Sequence, residues 1–327
     1  MTKIGFAISL CMFTLCAAAQ QDDWGHALER ARQQVNVGEF KQAERSLREA
    51  LKISNNRPEG PSLAVKAVTM NALGLLHDEM GMYREAEKEL RQALDAVVAR
   101  KGAETDHALM LANLAGVFNH QRRFPESEQA YREALEIYSK HASADDAHFA
   151  LAKSGLGEVL VNQKRLDEAE RLLEQAIPVL VNQPEPHVAI AGLSINNLAV
   201  LRLRQGRLQE AVKLLEDAIR WTERECGDGF PRIASPLNNL AMTYASLNRV
   251  DDASATFARA LKISAKGLGA DHPLHALILA NYASFLRKTG HKAESKAIEA
   301  KSRETLRQSD RQNGIGMTVD ASTFRMR

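Results

Sequence analysis

A few residues have types and spacings that could support catalysis or metal binding. His272 and His275 lie three positions apart, but no cysteine or acidic cluster completes a set of metal ligands with them. The segment SGLGE at residues 154–158 is similar to part of a nucleophile elbow, but it lacks the final glycine of G-x-S-x-G. Cys226 has no evident base as a partner. We therefore expect a protein that is not an enzyme, with no catalytic residue, no metal site and no cofactor. His272 is interpreted as a helix-start residue.

Paired asparagines are the other feature that could bind a ligand, because an amide side chain both donates and accepts hydrogen bonds. The stretch NNLAVLRLRQGRLQEAVKLLEDAI covers residues 196–219, and NNLAMTYASLNRVDDASATFARAL follows it at residues 238–261. Such amides suit the unpaired N–H and C=O groups of an extended peptide. Whether they bind a ligand or belong to a repeated structural unit depends on the elements that carry them.

A repeat with a period of about 42 residues runs through the chain. Its anchor is the leucine of NNLA, which recurs as Leu73, Leu114, Leu156, Leu198, Leu240 and, in altered form, Tyr282. Twenty positions after the anchor comes an alanine, at Ala93, Ala134, Ala176, Ala218 and Ala260. A repeat of this length indicates an array of similar structural units.

Each unit is predicted to be a helix–turn–helix hairpin. In RLQEAVKLLEDAI, at residues 207–219, apolar side chains recur at three- and four-residue spacing and charged ones cover the opposite face. The turn slot between the helices holds Gly38, Gly81, Arg122, Lys164, Gly206, Asn248 and Gly290. A hairpin cannot bury its apolar face alone, so neighbours must stack, and the recurrent alanines let their backbones approach closely.

The repeat resembles a known family. A Leu-Ala or Leu-Gly step, an aromatic residue four positions after the leucine and the spaced alanines are similar to the tetratricopeptide repeat (TPR). The longer period, LNNLA at 237–241 and GADHP at 269–273 resemble the kinesin-light-chain subclass. The resemblance covers about residues 24–307. It implies an all-α, right-handed α-solenoid of about seven hairpins that acts as a scaffold for proteins or peptides. Arg202 departs from the aromatic slot, and we expect its side chain to extend to solvent.

The resemblance also implies candidate binding residues on the inner, concave surface, which the first helices line. The slot two positions before the anchor, whose asparagine contacts a peptide backbone in this subclass, contains Asn71, Ser154, Asn196 and Asn238. The slot one position before the anchor points elsewhere, since one residue is about 100° around a helix. For its asparagines, bonding between helices is the favoured interpretation.

Basic residues near the ends of two first helices are further groove candidates. Arg204 and Lys288 share a slot, and Arg287 adjoins Lys288. They could attract acidic groups of a partner. Glu79 occupies the same slot earlier in the chain, which argues against one uniformly charged groove. A solvated surface without a ligand remains an equal alternative for these basic residues.

The N-terminus predicts export. MTKIGFAISLCMFTLCAAAQ has a basic residue at Lys3, an apolar run over residues 4–16 and small residues before Gln20. This layout is typical of a signal peptide cleaved after Ala19, and the run is too short for a stable membrane span. The expected location is the periplasm or the outside of the cell. The alternative is a buried N-terminal helix, in which case the protein is a cytosolic adaptor.

Composition limits the remaining possibilities. The chain has 327 residues, 45% hydrophobic and 26% charged, and a net charge of +2, which lacks the basic surplus typical of nucleic-acid binding. Only one of three cysteines would follow the leader, so no intrachain disulfide is expected. The predicted organisation is a leader at 1–19, a TPR solenoid at 20–307 and a polar tail at 308–327, disordered or folded back as a strand. The second functional candidate is an envelope-assembly or enzyme-accessory factor.

Overall fold

The computed structural model describes residues 23–55, 63–100, 102–143, 146–182 and 188–313. The predicted leader and most of the predicted tail lie outside these ranges. Within them, all regular structure is helical, and no β-strand is present. The first eight helices are α1 (Asp23–Asn36), α2 (Phe40–Asn55), α3 (Leu63–Glu79), α4 (Tyr83–Val98), α5 (Glu104–His120), α6 (Phe124–His141), α7 (Ala147–Asn162) and α8 (Leu166–Val181). The remaining six are α9 (Val188–Arg204), α10 (Leu208–Cys226), α11 (Ala234–Ser246), α12 (Val250–Gly267), α13 (Pro273–Lys288) and α14 (Lys292–Asn313).

The helices of the described ranges pair into seven hairpins, with odd-numbered first helices and even-numbered second helices. The turn slot has left-handed backbone in every hairpin, at Gly38, Gly81, Arg122, Lys164, Gly206, Asn248 and Gly290. In this conformation, the N–H groups that follow the turn slot donate hydrogen bonds to carbonyl groups at the end of the first helix. The N–H of Met82 donates to the carbonyl of His77 at 2.8 Å, and that of Arg123 donates to Phe118 at 2.8 Å. Arg122 has a φ of 60°, so this position adopts left-handed backbone even where the residue is not glycine.

Small residues hold the two helices of a hairpin close together. The alanines twenty positions after each anchor are fully buried, as are Ala86, Ala169, Ala211 and Ala253 thirteen positions after it. Where serine replaces alanine, its hydroxyl bonds back to the first helix. Ser127 donates to the carbonyl of Ala115 and Ser295 to that of Ala283, each at 2.7 Å. A side chain larger than these would overpack the contact.

The chain forms two compact units, one ending at Ser194 and the other beginning at Ile195, inside α9. In the second unit, apolar side chains of α10 to α14 form a continuous core. Phe257 of α12 lies at its centre, with ring centroids 5.4 Å from Tyr282 and 5.6 Å from Phe285. The altered anchor Tyr282 thus packs on a ring supplied by the preceding second helix.

Two expectations need revision. Arg202 does not extend to solvent, because only 7% of it is exposed. Its Nη1 donates to Gln205 Oε1 at 2.9 Å, and its Nε lies 3.7 Å from a carboxylate oxygen of Glu210, so its charge is satisfied inside the hairpin. The last helix also continues to Asn313, past the predicted boundary at 307. In contrast, His272 caps α13 as expected, accepting from the N–H of Leu274 at 3.1 Å.

Candidate functional site

Asparagine side chains join consecutive first helices. Their amide-to-carbonyl bonds run from Asn113 Nδ2 to Asn71 Oδ1 at 2.7 Å, from Asn239 Nδ2 to Asn196 Oδ1 at 2.9 Å, and from Asn281 Nδ2 to Asn238 Oδ1 at 3.0 Å. In each bond, the residue one position before an anchor donates to the residue two positions before the preceding anchor. We call these three bonds the asparagine ladder. The ladder therefore uses both predicted slots.

The two slots differ in burial. Asn71, Asn196 and Asn238 are 0%, 6% and 3% exposed, whereas of the outer members Asn113 and Asn239 are half-buried and Asn281 is 9% exposed. For the outer slot, the structure shows the predicted hydrogen bonds between helices. The inner asparagines take part in the same bonds, and their contact with a peptide stays a prediction. Ser154, in the same slot on α7, is also buried.

A tyrosine hydroxyl occupies the ladder position between α5 and α7. Gly155 lies one position before its anchor, where other hairpins have asparagine. A Cβ atom added to Gly155 would come within 2.3 Å of Tyr131 Oη. A larger residue here would have to displace the phenol of the preceding second helix, which fills the space. The sequence signal for this exchange is a glycine in the asparagine slot together with a tyrosine in the preceding second helix.

Polar side chains near the C-terminal ends of α3, α5 and α7 are hydrogen-bonded to one another. His120 Nδ1 lies 2.7 Å from Asp78 Oδ1. Asn119 Nδ2 donates to Glu158 Oε1 at 2.8 Å and accepts from Asn162 at 3.3 Å. Desolvation lowers the pKa of His120, but the carboxylate of Asp78 outweighs this and raises it above the ordinary value. These side chains form a polar row on the face that carries the ladder.

The second unit ends its first helices with different charges. Arg204 is the last residue of α9, and Arg287 and Lys288 end α13. Arg287 and Lys288 are exposed, with Arg287 Nη1 4.0 Å from Glu299 Oε2. Burial lowers the pKa of the Arg204 guanidinium. The predicted basic residues thus lie at the ends of first helices, while the slot of Arg204 and Lys288 contains Glu79, His120 and Asn162 in the first unit.

The family follows from comparison with known repeats. Five overlapping or adjoining stretches, residues 27–97, 106–180, 148–224, 190–264 and 232–308, match the family model described as the tetratricopeptide repeat. Together they span most of the chain. The protein belongs to the tetratricopeptide repeat family. The predicted all-α fold of stacked helical hairpins is confirmed. A search of curated protein sequences finds no match.

Solved TPR-type structures are similar in fold. BtubC (BKLC) from P. vanneervenii is 20% identical, with 73% of this chain and 92% of that chain covered and a TM-score of 0.50. A variant of the putative kinesin light chain TPR-like repeats of Podosopora anserina is 19% identical, with 65% and 100% covered and a TM-score of 0.47. A Rap protein complexed with Competence and Sporulation Factor is 15% identical, with 89% and 92% covered and a TM-score of 0.59. Kinesin-light-chain-like TPR proteins are thus among the structural neighbours.

A buried histidine occupies the TPR aromatic slot of the second hairpin. His77 is fully buried, with Nδ1 2.6 Å from Glu89 Oε2 of α4 and Nε2 3.5 Å from Glu44 Oε1 of α2. Burial lowers the pKa of His77, but the two carboxylates outweigh it and raise the pKa above its ordinary value. Sequence reasoning missed the two flanking glutamates.

In the structure, His275, one of the residues considered for metal binding, has a structural role. His275 Nδ1 lies 2.8 Å from Ser264 Oγ, and both side chains are buried between α12 and α13. Burial, together with the charge of Lys301, lowers the pKa of His275. Within the described ranges, no group of three or more potential metal ligands is close enough to hold an ion. In those same ranges, no helix is long and apolar enough to span a membrane.

Proposed function

We propose that this TPR protein is a non-enzymatic scaffold that binds a protein or an extended peptide along the face of its first helices. The observation that carries the proposal is the asparagine ladder, of whose outer members Asn113 in the first unit and Asn239 in the second are half-buried. Each ladder bond uses one of the two N–H donors of an outer asparagine, and an amide has a second donor. Such a donor suits a carbonyl group of an extended backbone.

The charged residues at the ends of the first helices favour a different ligand charge in each unit. In the first unit, Asp78, Glu79 and Glu158 stand near helix C-termini, whose partial negative charge adds to theirs. These turns favour a cationic segment. In the second unit, Arg287 and Lys288 favour an acidic one. A Rap protein of similar fold was solved with Competence and Sporulation Factor, so this fold can accommodate a second molecule.

Site-specific photo-crosslinking tests the binding face. A benzophenone amino acid replaces Lys288, at the end of first helix α13, and in a matched variant Lys262, on second helix α12. Both lysines are exposed and both lie in the second unit. We expect discrete heavier products from position 288 in extracts of the producing cell, and none of them from position 262. Products from neither site, or the same products from both, would contradict binding along the first helices.

We further propose that the protein is exported to the periplasm or to the outside of the cell. The support is the leader pattern, with its basic start, its short apolar run and Ala17 to Ala19. The intact mass of the protein purified from its native host tests this. We expect a chain that begins at Gln20. A mass that retains Met1 would overturn export and favour a cytosolic adaptor.

A further inference from the structure

A cleft of about 400 Å³ lies between the second helices α10 and α12 in the second unit. Its floor is apolar and consists of Ile219 from α10 with Leu237 and Leu240 from α11. Its volume is near the lower end of the range for ligand pockets, roughly 300–1,000 Å³. The space therefore suits one large side chain with its flanking backbone.

The cleft is open on the α12 side because Ala255 is small where the five earlier second helices have long side chains. Ala255 and Thr256 line it from the α12 side. The repeat places Arg45, Lys88, Gln129, Arg171 and Lys213 at positions equivalent to Ala255. A long side chain at position 255 would extend over the space that the cleft occupies. Of the second helices in the described ranges, α14 alone shares this small residue, as Ala297.

The charged groups around the cleft are already paired. Tyr244 Oη donates to Glu216 Oε1 at 2.8 Å, and Arg259 forms an ion pair with Glu223. Arg220, on the rim, pairs with Asp217. A charged ligand would have to displace one of these partners, at the cost of an unpaired group. An uncharged, apolar group would displace none of them.

A second cleft continues this surface along α10. It encloses about 630 Å³, shares Arg220 and Glu223 with the first, and adds Trp221, Arg224 and Asp228. Trp221 is half-exposed, whereas the only other tryptophan, Trp24, is buried and donates to Thr69 Oγ1 at 3.0 Å. Tryptophan, tyrosine and arginine are the residues enriched at binding hot spots. The surface therefore has the composition of a protein interface.

We propose that the cleft between α10 and α12 is a second binding site, separate from the first-helix face, for a partner segment without net charge. A large aliphatic or aromatic side chain of that segment occupies the apolar floor. The segment then runs along α10 over Trp221. The paired charges at the rim exclude strongly charged sequences, since those would break the pairs without replacing them.

Selection from a library of random peptides tests this site. The immobilised full-length protein is the bait, and the Ala255→Lys variant is used to remove peptides that bind elsewhere. Lysine occurs at the equivalent positions 88 and 213, so the repeat tolerates it there, and thermal unfolding confirms that the variant is folded. We expect enriched peptides of low net charge that share one large apolar residue.

Fluorescence anisotropy of the labelled peptides then locates their binding. We expect Ala255→Lys to weaken binding at least tenfold, and replacement of the shared apolar residue by alanine to do the same. Ala258→Lys, at an exposed position of α12 outside the cleft, should change affinity less than twofold. No enrichment, equal binding to the Ala255→Lys protein, or a strongly charged consensus would overturn the proposal. Binding lost in Lys288→Glu but kept in Ala255→Lys would place the peptides on the first-helix face, overturning the cleft alone.

Discussion

The junction between α6 and α8 and the junction between α10 and α12 have the same repeat positions but opposite surfaces. Between α6 and α8, Arg132 contacts Glu128 at 2.9 Å and Glu168 at 2.6 Å. Arg165 contacts Glu128 at 2.6 Å and also pairs with Glu168. These four residues form a closed ring of ion pairs, which we call the charge ring. It shares one repeat position with the cleft of the other junction, since Arg132 is equivalent to the cleft residue Glu216.

Two positions explain why the junction between α10 and α12 has no charge ring. The repeat places Val212 where the charge ring has Glu128, and Glu216 where it has Arg132. The remaining charged residues of the junction between α10 and α12 form other pairs. Arg249 pairs with Asp252 at 2.7 Å and lies 4.2 Å from the centre of the Tyr244 ring, while Glu216 accepts the tyrosine hydroxyl. The comparison shows that a few surface positions decide which ion pairs form at a junction, while the buried alanines Ala134 and Ala260 are the same in both.

The largest expected effect tests whether the two junctions share their internal packing. Ala134→Leu in α6 and Ala260→Leu in α12 should each lower the free energy of unfolding by about 1–3 kcal/mol, because both alanines are fully buried. Urea unfolding measures the loss. Ala258→Leu, at an exposed position, is the control and should stay within about 0.5 kcal/mol of the parent. If both buried variants match the parent, the close-contact assignment is wrong.

Removing one inner member of the asparagine ladder should have the next largest effect. Asn238→Ala leaves the buried Asn281 Nδ2 without its acceptor, and we expect a loss of about 1–2 kcal/mol in urea unfolding. Asn71→Ala should have a similar effect in the first unit, since it removes the acceptor of Asn113. Asn162→Ala, at an exposed residue, should cost less. Equal, negligible losses in all three would mean that the ladder does not stabilise the stack in either unit.

The pH dependence of stability should distinguish the α2/α4 junction from both of these junctions. Glu44, itself paired with Arg48, and Glu89 face His77, whose pKa is raised in the folded state. The stabilisation from His77 is therefore fully present below the unfolded-state pKa of about 6.5, and it is lost as pH rises through the folded-state value. Urea unfolding across this range should show the decline. His77→Leu, which introduces the residue found at positions 160 and 286, should reduce this slope.

A matched control uses the charge ring. Arg132→Met should keep the decline of the parent, because arginine and glutamate both stay charged through the same pH range. Tyr244 at the open junction also keeps its proton there, since burial and the carboxylate of Glu216 raise its pKa to about 12. A His77→Leu protein with an unchanged decline would show that another group is responsible.

The smallest expected effect concerns the charge ring itself. A double-mutant cycle of Arg132→Met and Glu168→Gln should give a coupling energy of about 0.2–1 kcal/mol, because both side chains are partly exposed. Added salt should reduce it. The same cycle for Arg249→Met and Asp252→Asn should give a smaller coupling, since this pair joins residues of one hairpin. Equal coupling at both junctions would show that ring closure adds no stability.

The sequence alone was sufficient for the class of fold and for the repeat positions. The anchors, alanines and turn slot recur at constant spacing, and each has the same physical role in every hairpin. The turn is an example, because the repeat position adopts left-handed backbone even at Arg122, Lys164 and Asn248. The same reasoning separated the two asparagine slots and indicated helix-to-helix bonding for the outer one.

Only the tertiary structure decided which side chains meet across hairpins. Asn196 bonds to Asn239, Gly155 makes room for Tyr131, and Arg202 stays inside its hairpin beside Gln205. Likewise, the carboxylates around His77 come from two different second helices. The physical reason is that a repeat period specifies the angle and height of each residue on its own helix. The partner of a side chain, and whether a junction closes over or leaves a cleft, depends on the sizes and charges brought together from separate hairpins.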